Sequence, residues 1–219
     1  MIVAIDGPAG VGKSTVAKLL ASQLGYLYLD TGSLYRSVAW AVLENGLNPN
    51  DSHAVAGLLP KLSLHMTVKD KVVYVSVNGK DLTEELRTPA VSAAASVVSA
   101  IPAVRAWLLP VQRQIGQKGS VVAEGRDIGT KVFPSASVKF FLEADPTVRA
   151  QRRHRELVAA GHLGAIEQTS ADITGRDDRD RSRAVAPLAP AEDAHHIDTS
   201  TLSAEDVVNQ MLAVVTAKL

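Results

Sequence analysis

Ile2-Val3-Ala4-Ile5 closes on Asp6 and runs straight into GPAGVGKST, residues 7–15. No other stretch constrains the fold as strongly. A short, wholly apolar run reads as a parallel strand buried on both faces. Behind the loop Val16, Leu19, Leu20 and Leu24 recur at helical spacing, and Gly25 supplies a stop. Strand, glycine loop and helix in immediate succession are the setting in which Gly7-x-x-x-x-Gly12-Lys13-Ser14 binds phosphate.

The chemistry follows from the residue types. Glycines let main-chain N–H groups turn inward as an anion cradle, and the helix start adds partial positive charge. Lys13 is placed for β- and γ-phosphates, and a hydroxyl of Ser14 or Thr15 for Mg²⁺. Gly7, Pro8, Ala9, Gly10, Val11, Gly12, Lys13, Ser14 and Thr15 are therefore expected to hold a nucleoside triphosphate. The loop alone leaves GTPases, motor ATPases and small-molecule kinases open.

The rest of the chain supports an α/β fold. YLYLD (26–30) reads as a second strand, and Thr31-Gly32 opens a helix to about Glu44. This alternation implies crossover connections and a parallel sheet. KLSLHMTVKDKVVYVSVNGKDL (61–82) alternates with period two, and Asn78-Gly79 is a hairpin signal, so a small antiparallel patch is expected as an insert. Residues 90–116 read as helical with a break near Pro102. SVVAEG (120–125), SVKFFLEA (137–144) and HHID (195–198) read as further strands. Asp145-Pro146 caps a helix to about Ala160. A loop is expected over 161–171 and a helix from about Ser170 to Arg183. Ser203 to Asp206 resembles a capping box.

Lys+Arg and Asp+Glu both number 23, and a chain without net charge lacks the basic excess that bulk nucleic-acid or membrane-surface binding requires. No stable nucleic-acid or membrane partner is expected. The absence of cysteine excludes disulfides, thiolate metal sites and a cysteine nucleophile. No apolar run is long enough for a membrane span, and MIVAI lacks the basic flank of a leader, so a cytoplasmic location is expected. The six histidines show neither metal spacing nor a nucleophile partner.

Eight of the thirteen arginines fall in residues 149–183. Arginine suits bidentate grip on phosphate, and an arginine-rich flap can neutralise a transferring phosphoryl group while excluding water. Asp30-Thr31-Gly32, with Arg36 beyond it, and Glu124-Gly125-Arg126-Asp127 both follow strands. Ligands of open parallel sheets sit beyond the strands' carboxyl ends, so these segments should meet the loop in one crevice. No NKxD-type guanine reader is present, which disfavours a GTP-driven switch.

Taken together, IDGPAGVGKST (5–15), LDTGSLYR (29–36), LRTPAVSAAAS (86–96), IPAVR (101–105), AEGRDIGTKVFPSASVKFFL (123–142) and RDDRDRSRAVAPL (176–188) resemble the cytidylate kinase family of the nucleoside monophosphate kinases. The resemblance runs nearly end to end. It implies a three-layer, parallel-sheet P-loop core (1–30, 118–148, 184–219), a monophosphate-binding region (31–117, with the antiparallel insert at about 61–88) and a helical lid (149–183). It implies transfer of the ATP γ-phosphoryl group to CMP or dCMP with Mg²⁺; a monomer is expected. Lys13, Arg126 and Arg183 would serve catalysis. Thr31, Arg36, Arg126 and Arg183 would surround the acceptor phosphate or the nearby base, Ser96, Arg105 and Asp127 would read cytosine, and Arg176 and Asp180 would hold the sugar. Arg149, Arg152 and Arg153 would approach ATP, and Glu124 would orient Mg²⁺ through water. Position 14 is Ser where some members have Gly, and Glu124 stands where Asp is common.

Overall fold

The computed structural model describes residues 1–82, 85–117 and 119–218. Positions 83, 84, 118 and 219, within the expected insert and core segments, lie outside the described residues. The core strands are β1 (Ile2–Asp6), β2 (Leu27–Asp30), β6 (Val121–Gly125), β7 (Val138–Glu143) and β8 (His195–Asp198), with β3 (Leu64–Lys69), β4 (Val72–Val77) and β5 (Lys80–Asp81) between β2 and β6 in the chain. They form one eight-stranded sheet in the order β3-β4-β2-β6-β1-β7-β8, with β5 paired to β4. Pairing among the core strands is parallel throughout.

Helices cover both faces. Helices α1 (Lys13–Leu24) and α8 (Ala204–Thr216) share one core with Val3, Ile5, Val122, Phe140 and Leu142. On the opposite face Ala4, Leu29 and Ala123 pack with Ile115, Ile128 and Phe133. Burial on both faces explains why β1, β6 and β7 are near-continuous apolar runs. A second core joins α2 (Thr31–Glu44), α3 (Ser52–Leu58), α4 (Pro89–Val98) and α5 (Pro102–Gly116) to Val75 and Val77 of β4. Helices α6 (Pro146–Ala159) and α7 (Ile166–Ser182) pack on each other beside the loop.

Local signals account for most boundaries. Asp30, Asp51, Thr88, Asp145 and Ser203 accept main-chain N–H groups at their helix starts, and Ser203 with Asp206 completes the capping box. Gly25, at φ 68°, ends α1. Pro102 begins α5, which makes a 101° bend with α4. Among the described residues no single helix is long and apolar enough to cross a membrane.

Three expectations change. The antiparallel patch is continuous with the main sheet, because β4 pairs in parallel with β2 at Tyr28 and Val72. Its main hairpin turns at Asp70-Lys71, both at positive φ, while Asn78-Gly79 makes the smaller turn into β5. Helix α7 begins at Ile166, inside the expected loop, because a helix this polar shows little apolar period to mark its start.

Candidate active site

Sheet register sets the layout. Asp6 lies level with Gly125, while Ile5, Asp30 and Glu124 share the preceding row. Side chains alternate faces along a strand. Glu124 and Asp30 therefore face α1 and the phosphate loop. Asp6 faces the other way, under the turn that follows β6.

The loop wraps the start of α1. Gly10 and Gly12 lie at φ 77° and 92°, backbone that L side chains rarely adopt. A Cβ at Gly10 would also meet the Arg149 carbonyl oxygen at 2.8 Å. Lys13 is buried and donates to the Pro8 carbonyl at 2.6 Å, which folds it back across the loop's mouth. Burial first, then the positive Arg126, pushes its ammonium down to about 7, with Glu124 opposing. Glu124 is buried and accepts from the Tyr28 hydroxyl at 2.9 Å, and the nearby Ser14 hydroxyl favours its charged form. Burial and the neighbouring Asp30 raise its carboxyl above the usual range. Thr15 faces a different space, a cavity of about 520 Å³ bounded by the loop, Arg152, Arg155, Thr199 and Ser203.

A second, tighter cavity of about 60 Å³ adjoins the carboxyl ends of β2 and β6. It gathers Thr31, Arg36, Arg105, Arg126, Asp127, Arg176, Asp180 and Arg183, which are drawn from α2, α5, α7, the turn after β6 and the segment after α7. Charges alternate around its wall. Arg105 pairs with Asp127, Arg183 reaches Asp127 at 3.5 Å and Asp180 at 3.4 Å, and Arg126 donates to Asp180 at 2.9 Å. Arg36 pairs with Asp30 at 2.5 Å. Burial and Arg126 lower the Arg176 guanidinium to about 10, with Asp180 opposing. The Nε atoms of Arg36 and Arg176 are buried without a hydrogen-bond partner among the described residues. Buried donors left open in a positively charged cleft are suited to an anion.

Thr31 donates to the Glu124 carbonyl at 2.7 Å and so bolts α2 to β6. Ser96 lies outside the lining; its hydroxyl accepts from Arg179 at 3.1 Å, whereas Ser92 and Ser99 of the same chain region reach the cavity. Arg152 donates to Thr199, and Arg153 pairs with Glu156 on the surface at 3.0 Å. Arg149 is buried, paired with Asp177, and donates to the Ala9 carbonyl at 3.0 Å. It braces the loop from outside both cavities.

Sequence reasoning passed over Asp6, Tyr28, Asp177 and Thr199. Asp177 sat unremarked among charged neighbours, and Asp6 read as a strand end. Thr199 donates to the Val11 carbonyl at 3.0 Å from 188 residues away, a separation no local pattern discloses.

The parallel sheet, the glycine loop at the end of β1 and the arginine-lined cavity beside it define a P-loop kinase. A gluconokinase from Sinorhizobium meliloti 1021 shares this fold, with a TM-score of 0.50 at 16% identity over 98% of this chain and 91% of that one. A family model described as cytidylate kinase matches residues 3–217. A cytidylate kinase from Carboxydothermus hydrogenoformans is 46% identical over 218 residues, covering 100% of this chain and 98% of that protein. A bifunctional pantoate ligase/cytidylate kinase from Synechococcus elongatus is 48% identical over 216 residues, 96% of this chain; the chain spans 41% of that longer protein. The chain belongs to the cytidylate kinase family.

Proposed function

We propose that the protein transfers the γ-phosphoryl group of ATP to CMP or dCMP, giving ADP and CDP or dCDP. The observation that carries this reading is the arginine-lined cavity at the carboxyl ends of β2 and β6, whose Arg126 and Arg176 act electrostatically on Lys13 of the loop, with Asp127 held between Arg105 and Arg183. The loop amides and Lys13 hold the donor's phosphates, and the nucleoside extends toward Thr15 and Arg152. Arg36 and Arg126, with Thr31 near them, hold the acceptor phosphate. Arg105 donates toward O2 and N3 of cytosine, and Asp127 accepts from the 4-amino group. Arg176 and Asp180 flank the sugar.

The acceptor is itself a phosphate oxygen, largely ionised near neutral pH, so in-line transfer needs no strong base and no phosphoenzyme. Catalysis is positioning plus charge neutralisation by Lys13, Arg126 and Arg183. The Ser14 hydroxyl beside the Glu124 carboxylate is a hard-oxygen set that suits Mg²⁺, directly or through water. When bound, Mg²⁺ would neutralise part of the negative charge on the transferring phosphoryl group. Helices α6 and α7 form the lid, residues 31–117 the acceptor-binding region, and the protein works as a cytoplasmic monomer.

ADP release measured with Mg-ATP against CMP, dCMP, UMP and AMP tests the reading. Turnover is expected to require a monophosphate and to favour the cytidine nucleotides. ADP release at the same rate without any acceptor would contradict it.

A further inference from the structure

Asp6 is the last residue of β1 and is buried. Its main chain continues into Gly7 of the phosphate loop. Its side chain crosses to the neighbouring segment, where Oδ1 accepts from the Ile128 N–H and Oδ2 from the Gly129 N–H, both at 2.8 Å. Asp6 as a whole residue is 4% exposed. Both oxygens are occupied by main-chain amides 122 and 123 residues away in the sequence. Those amides belong to the two residues directly after Asp127. Asp127 itself lies at φ −146° and ψ 28° and caps the short helical turn Ile128–Val132, its carbonyl accepting from the N–H groups of Lys131 and Val132. What fixes its carboxylate is the turn on one side and Arg105 and Arg183 on the other.

We infer that Asp6 is a positioning residue for acceptor choice: by holding the amides of Ile128 and Gly129 it aims the Asp127 carboxylate into the acceptor cavity. Asp6 does not touch the acceptor. Because its backbone leads into the donor loop, the same residue also fixes how far the Asp127 turn lies from that loop. The inference rests on the proposed contact between Asp127 and the acceptor base.

The test compares kcat/KM for CMP and for UMP, and KM for ATP, in the wild type, Asp6→Asn, Asp6→Ser and Asp127→Asn. Asp6→Asn keeps the shape but turns an N–H₂ group toward one of the two amides. It should lower the CMP-over-UMP ratio about tenfold, the size of one lost hydrogen bond, and raise KM for CMP while KM for ATP stays within about twofold. Asp6→Ser, whose shorter side chain reaches neither amide, should lower the ratio at least as much; it carries the same test should Asp6→Asn not fold. A purely structural role would reduce the fraction of active enzyme and leave the ratio and both KM values where they were, which would overturn the inference. If Asp127→Asn leaves the ratio unchanged, the assignment of Asp127 fails and this inference falls with it. A shift with Asp127→Asn but none with either Asp6 variant overturns the role of Asp6 alone.

Discussion

The Asp177 carboxylate of α7 accepts the main-chain N–H of Ala9 at 3.1 Å, while Arg149, paired with that carboxylate, donates to the carbonyl of the same Ala9 at 3.0 Å. Ala9 is thus gripped at both polar atoms by two side chains from α6 and α7. The outer wall of the phosphate loop is fixed, and the amides deeper in the loop are left for phosphate.

Removing one member of that pair strands the other. Asp177→Ala leaves the buried Arg149 guanidinium without a counter-charge and should cost about 3–5 kcal/mol, read as a lower urea midpoint. The double change Arg149→Met with Asp177→Leu should recover a substantial part of the loss. A wild-type midpoint for Asp177→Ala would show that the pair contributes nothing.

Lys13 predicts proton uptake. Its ammonium is pushed down to about 7 from 10.5, so between those pH values the empty protein holds less than one proton there. A triphosphate beside Lys13 raises its pKa again and restores the proton. At pH 8, titration with ATP in buffers of different ionisation heat should show net uptake of up to one proton. Lys13→Met should abolish that uptake. Binding heats that do not depend on the buffer would contradict the account.

Ser14 and Thr15 are adjacent but face different spaces, so their substitutions should separate. Ser14→Ala should reduce the enhancement of ATP affinity by Mg²⁺ by about tenfold, because it removes the hydroxyl beside Glu124. Thr15→Ala should weaken ATP binding while leaving the Mg²⁺ enhancement intact. Calorimetric titrations with and without Mg²⁺ check both.

Arg36 has a buried Nε with no partner among the described residues and a charge held by Asp30. Arg36→Met should raise the dissociation constant for CMP about 10- to 100-fold, the loss of one or two charge-assisted hydrogen bonds. ATP affinity should stay within about twofold. Equal losses for both nucleotides would place Arg36 outside the acceptor cavity.

The physics behind these predictions was unevenly written in the sequence. The buried strand, glycine loop and helix from Ile2 to Leu24 are one local program, with the left-handed turns at Gly10, Gly12 and Gly25 spelled by residue type. Helix starts at Asp145 and Ser203 were equally plain, because a cap acts within three residues. The merging of the antiparallel patch into the main sheet was not legible, since it depends on a contact between Tyr28 and Val72, 44 residues apart by their numbers. The hairpin at Asp70-Lys71 carries no glycine, so it lost to the stronger Asn78-Gly79 signal. The arginines from Arg149 to Arg183 stood out as a set, but which of them face a cavity depends on partners. Asp177 turns Arg149 into a brace, whereas the Nε of Arg176 remains open. Asp6 gave no sign of its role because its two hydrogen bonds reach across to another strand's turn.

The central claim is that two nucleotides lie end to end, one on the loop and the other among Arg36, Arg126 and Arg183. A single molecule joining adenosine and cytidine through a polyphosphate chain tests it most directly, with binding followed by calorimetry. The account predicts that this compound binds at least about 100-fold more tightly than CMP and excludes both ATP and CMP, because one linker serves both cavities. Affinity no better than that of the tighter single nucleotide, with CMP still able to bind alongside, would contradict it.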